Sequence, residues 1–70
     1  MRIHVSDPGQ LEELHSALRE ADCVSVQVAP DTLAVLHPLA MTETEATTEL
    51  SFFVRAWGAR RPNLRVELLG

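Results

Sequence analysis

One cysteine and three histidines are the side chains of this 70-residue chain best suited to nucleophilic or metal chemistry: Cys23, His4, His15 and His37. A nucleophile needs an oriented base beside it, and a thiol needs a helix N-terminus or a cationic neighbour to become a thiolate. Cys23 opens a strand-like run, Cys23 to Val28, with neither feature nearby, so it reads as a small apolar residue at a sheet margin. A metal site would draw on Cys23, His4 and His37, with His15 as a further donor. The chain contains no C-x-x-C and no H-x₃-H pair, and such spacing is what builds a ligand set. Carboxylates fare no better as acid–base pairs. Glu12, Glu13 and Glu20 fall on the polar side of a helix, and Glu43, Glu45 and Glu49 crowd the first turns of another, where acids stabilise the helix dipole. No residue is assigned to catalysis, and no metal or cofactor is assigned.

Composition narrows the classes further. Six basic residues against ten acidic ones leave a net charge of −4, the wrong sign for a surface that tracks phosphates. All three aromatics, Phe52, Phe53 and Trp57, fall in one helical segment, away from the strands on which an RNA-binding sheet would stack bases. No apolar run reaches the length of a membrane span, and no basic start precedes an apolar stretch as in a secretory signal. A single cysteine closes no internal disulfide. These features place the chain among small soluble cytoplasmic domains that bind neither nucleic acid nor membrane. All six basic residues are arginine, with no lysine or tyrosine, one isoleucine and one asparagine. That pattern follows from GC-rich codons and carries no functional weight.

The elements that must position these side chains are legible from periodicity. Residues 2–6 alternate, with Ile3 and Val5 inward. Asp7-Pro8-Gly9-Gln10 has the form of a helix start, with Asp7 as N-cap, Pro8 in the first turn and Gln10 closing a capping box. Leu11, Leu14, Leu18 and Ala21 then mark the apolar side of a helix over 8–21. Residues 23–28 alternate again, Val24, Val26 and Val28 on one face and Cys23, Ser25 and Gln27 on the other. A turn centred on Pro30-Asp31 leads into a strand over 33–37, which sets Val24 beside His37. Thr42 and Glu45 cap a helix running to about Ala59, with Ala46, Leu50, Phe53, Val54 and Trp57 inward. Leu64, Val66 and Leu68 alternate in a last strand. The order β-α-β-β-α-β predicts an α+β, ferredoxin-like split βαβ domain: one unit, two helices on one face of a four-stranded antiparallel sheet. The continuously apolar third strand belongs inside the sheet and the second at an edge.

The run Val5-Ser6-Asp7-Pro8-Gly9-Gln10-Leu11, followed three residues on by Leu14 and by a β-β-α-β remainder, resembles an ACT domain, a small-molecule sensing module, over nearly the whole chain. In that family an extra residue separates the aspartate from the Pro-Gly pair; here they are adjacent, which makes Asp7 a helix cap. The resemblance implies a homodimer joined at sheet edges and an amino acid or other small ligand bound near the glycine loop, at Asp7, Gly9, Gln10 and Leu11. The carboxy-terminal half, Glu49 to Trp57 with Pro62 and Val66-Glu67-Leu68, is also similar to short uncharacterised proteins of GC-rich actinobacteria, which implies relatives and no activity.

So short a domain buries only about 60% of its unfolded surface, and self-association supplements such a core. The second strand carries no charge, whereas edge strands are usually guarded by charge or proline. The open sheet face is expected to carry His4, Cys23, Ser25, Gln27, Ala34, Leu36, Arg65 and Leu69, with Phe52 at the rim or outside of the second helix. Cys23, Ser25, Gln27, Leu36 and Phe52 are therefore the expected interface residues. Three functions follow: a self-associating ACT-like module that senses a small molecule or regulates a partner protein; a ferredoxin-like protein-interaction domain without a ligand pocket; and, last, a small dimeric enzyme with His4 or His37 as base.

Overall fold

A computed structural model describes all 70 residues, Met1–Gly70. Strand β1 (Arg2–Val5) leads through a 3-10 turn (Pro8–Gln10) into helix α1 (Leu11–Glu20). Strands β2 (Val24–Ala29) and β3 (Thr32–Leu36) form a hairpin, followed by α2 (Glu43–Ala59) and β4 (Val66–Leu69). The sheet is antiparallel in the order β2-β3-β1-β4, which is the ferredoxin-like arrangement, with β3 inside and β2 and β4 at the edges. No helix is long and apolar enough to cross a membrane.

The core is the meeting of the two helical stripes with the inward residues of β1 and β3. Ile3, Val5, Leu14, Leu18, Leu33 and Leu50 are fully enclosed, each contributing roughly 1.5–3 kcal/mol by leaving water. Val54 and Trp57 of α2 are also buried, and Phe53 packs at the margin, partly buried. Arg61 fastens the end of α2 to the start of α1. Its guanidinium lies 3.9 Å from the Trp57 ring centroid and donates to Trp57 O, Gln10 Oε1 and Glu13 Oε2 at 3.1, 3.4 and 3.2 Å.

The first helix begins differently from the expected capping box. Asp7 does cap, but its carboxylate accepts from Gly9 N at 2.9 Å across a 3-10 turn, and regular α-helix starts only at Leu11. Gln10 is drawn to Arg61 instead of back to the chain start. Adjacency of Asp7 to Pro8 tightens this turn: a Cβ on Gly9 would come within 3.2 Å of Asp7 Oδ1. The second helix starts as its sequence dictates, Thr42 Oγ1 accepting from Glu45 N at 3.0 Å. At the end of α1, Asp22 takes φ 62°, while Cys23 N donates to Leu18 O at 2.9 Å and Asp22 N to Arg19 O at 3.1 Å. This is the Schellman closure, which favours glycine at the left-handed position. Asp22→Gly should therefore raise stability by about 0.5–1 kcal/mol, read as a higher urea midpoint; an unchanged or lower midpoint would contradict it.

The hairpin holds the main departure from expectation. Next to the turn Ala29 pairs with Thr32, as a turn at Pro30-Asp31 requires, but a bulge between Gln27 and Ala29 then shifts the register. Gln27 pairs with Leu33, Ser25 with Val35, Val26 with Ala34, and Val24 with Leu36 rather than His37. A one-residue shift moves every later side chain to the other face. Ser25 and Gln27 therefore share the helix-covered face of Leu33 and Val35, and Cys23 is buried in the core. Their expected place on the open face is corrected. Val24 and Val26 take it instead, beside Ala34 and Leu36.

Candidate functional site

Val35 exchanges backbone hydrogen bonds with Met1, on the β1 side (Val35 N to Met1 O at 2.7 Å, Met1 N to Val35 O at 3.5 Å). In an antiparallel ladder a residue bonded to one neighbour turns its amide away from the other. Ser25, opposite Val35, and Gln27, opposite Leu33, therefore direct their N–H and C=O groups to the outer edge of the sheet. Val24 and Val26 bond inward to β3. The free edge of β2 is thus an unpaired ladder at Ser25 and Gln27 with no charge to guard it.

Beside that edge lies a cleft of about 470 Å³, lined by Pro8, Gly9, Leu11, Glu12, His15, Gln27 and Leu33. Each lining group has a local cause. The short Asp7-Pro8-Gly9 turn brings Gly9 backbone to the rim, and helical spacing sets Glu12 and His15 one turn apart on the flank of α1 that faces β2. The bulge turns Gln27 under the helix. His15 Nδ1 is held by Ser25 Oγ at 2.5 Å, which fixes the ring between α1 and β2. A wider groove of about 1020 Å³ separates α1 from α2, but Arg61 spans it from Trp57 to Gln10 and Glu13.

The expected ligand residues divide. Gly9 and Leu11 line the cleft, Leu11 as a buried wall. Asp7 is occupied with Gly9 N, and Gln10 faces the α1–α2 groove. The expected interface residues fall on three surfaces. Leu36 lies exposed on the open sheet face, Ser25 and Gln27 sit at the β2 edge, and Phe52 is exposed on α2, the helix packed against β4; Cys23 is on none of them. Glu12, His15 and Leu33 lie outside the expected ligand set, His15 being weighed only as a metal donor and Glu12 only as a carboxylate on the polar side of its helix. The i, i+3 spacing of Glu12 and His15 was the available signal, while the bulge that brings β2 into place has no sequence mark.

The remaining titratable groups have their own partners. His4 Nε2 meets Asp31 Oδ2 at 2.8 Å on the open face, and His37 Nε2 meets Glu49 Oε2. His37 Nδ1 is buried without a partner. Neither His4 nor His37 lines the cleft. Burial, reinforced by the negative charges of Asp22 and Glu49, pushes the Cys23 thiol up, so it stays protonated at neutral pH. The hydrogen bond from His4, with a second from Thr32, holds the Asp31 carboxyl below its ordinary value. A depressed carboxyl stabilises the fold above its unfolded pKa of about 3.9 and loses that contribution as pH falls through the folded value. Asp31→Asn should therefore melt below wild type at neutral pH, with the two melting curves converging in acid. A gap that persists in acid would assign the effect to packing.

Comparison of the chain with protein-family models, with curated proteins and with solved structures finds no match.

Proposed function

We propose that this chain is a non-catalytic, ACT-like binding module that pairs with a second copy along β2 and holds a small amino-acid-like molecule in the cleft beside that edge. The observation that carries this reading is the adjacency of the glycine turn, the polar cleft and the unpaired edge. A copy paired at Ser25 and Gln27 would wall the cleft's open side. The cleft offers a carboxylate at Glu12 for an ammonium group and the free Nε2 of His15 and the amide of Gln27 for a carboxylate. Leu11 and Leu33 give an apolar wall for a short side chain. A zwitterion with a small apolar substituent satisfies all of these at once.

The test is a thermal-shift screen against the proteinogenic amino acids. A ligand at a hundredfold excess over its Kd stabilises by about 2.7 kcal/mol, which in so small a domain moves Tm by about 10 °C or more. Glu12→Gln, exposed and without a side-chain hydrogen bond, should melt only a few degrees below wild type alone, the loss of one first-turn acid on α1, and lose most of the shift. No shift with any amino acid, or a shift untouched by Glu12→Gln, would contradict the assignment. The exposed aliphatic residues of β2 favour a second reading, a protein-interaction domain without a ligand, which a blank screen would leave standing.

A further inference from the structure

The cleft beside β2 has two ionisable side chains in its wall, Glu12 and His15, and every other lining residue is uncharged. The elements packed against this flank of α1, which are β2, β3 and the 3-10 turn, carry no charged residue between them. Arg19, one turn beyond His15 on α1, is exposed and outside the cleft. Asp7, just before the turn, has its carboxylate on Gly9 N at 2.9 Å. Glu12 and His15 therefore set the charge of the cleft.

The group that holds the imidazole matters as much. His4 and His37 are each bound to a carboxylate, which can only accept. His15 Nδ1 instead meets a hydroxyl, Ser25 Oγ, at 2.5 Å. A hydroxyl donates to a bare Nδ1 and accepts from a protonated one, so the contact survives in both charge states. Protonation thus changes the charge of the cleft while the ring stays in place. With a neutral imidazole the cleft holds only the negative charge of Glu12, which suits a single ammonium group. With an imidazolium it holds one charge of each sign, which suits a zwitterion. We infer that the proton on His15 selects the ligand: an amino acid when the ring is charged, an alkylamine without a carboxylate when it is neutral. The inference rests on the binding reading proposed above and adds its regulation. Histidine ordinarily changes charge between pH 5 and 8, so the selection falls within that window. By reciprocity, an amino acid that favours the imidazolium makes the protein take up a proton as it binds.

Isothermal titration calorimetry with L-valine and with isobutylamine, its counterpart without the carboxylate, tests this on wild type and His15→Gln. Wild type is expected to bind valine at least about fivefold more tightly at pH 5.5 than at pH 7.5, and isobutylamine no more tightly. At pH 7.5, titrations in two buffers of different ionisation heat should show proton uptake with valine and none with isobutylamine. His15→Gln should lose both the pH dependence and the uptake. Should that variant fail to fold, the wild-type proton count decides alone. Valine affinity that is equal at the two pH values, a pH dependence that persists in His15→Gln, or isobutylamine following the same trend as valine would overturn the inference and leave the binding reading intact. No binding of either probe at either pH would overturn both.

Discussion

Trp57→Ala is expected to unfold the domain at room temperature. Trp57 is the largest side chain of the core, and it closes the α2 end against the sheet with Leu50 and Val54 above it. Truncating a buried tryptophan costs about 3–5 kcal/mol, and a single core of this size rarely supplies more than about 3–5 kcal/mol in total. The loss extends beyond the cavity, because the Arg61 guanidinium stacked on the ring also loses its platform, an interaction of about 0.5–2 kcal/mol. Far-UV circular dichroism and urea titration read the result. A variant that retains a cooperative transition with a midpoint near wild type would show that α2 is not anchored through Trp57.

The second large effect is expected at Ser25. Proline there removes one of the two amides directed outward from β2, and proline is tolerated at a sheet edge when the lost donor faces solvent. The hairpin should survive, since Val24 and Val26 carry the bonds to β3. Ser25→Pro also deletes the hydroxyl that holds His15, so Ser25→Ala is the necessary companion: it loses that bond and keeps the donor. Light scattering should show Ser25→Ala associated like wild type and Ser25→Pro monomeric. Equal masses for the two variants would mean that the edge amide plays no part in association.

Much of this molecule is legible in its residues, and the reasons differ from element to element. Alternation in Arg2–Val5 and the spacing of Leu11, Leu14 and Leu18 report burial directly, because the same residues form the core. Thr42 announces α2 because its cap is local. Asp7 announces a helix but not its type, since the 3-10 turn is imposed by the adjacent Pro8-Gly9 and by Arg61, 51 positions away, competing for Gln10. The bulge is least visible. Val24-Ser25-Val26-Gln27-Val28 alternates equally well in either register, and only packing against β3 decides which face goes inward. That one residue of slip moved Ser25 and Gln27 beside the cleft and the valines into water, so the fold could be read where the site could not.

Amide hydrogen exchange at Ser25 and Gln27, resolved residue by residue, tests most directly whether the β2 edge is paired and closes the cleft. In an isolated chain these two N–H groups face solvent and exchange as fast as those of an open loop, while Val24 and Val26, bonded to β3, are protected. Pairing of two copies predicts that Ser25 and Gln27 are protected to the level of Val24 and Val26, that dilution releases them, and that ligand in the cleft protects them further. Rapid exchange at both, at concentrations where the chain sediments as more than a monomer, would show that β2 remains an open edge and would contradict the proposed module.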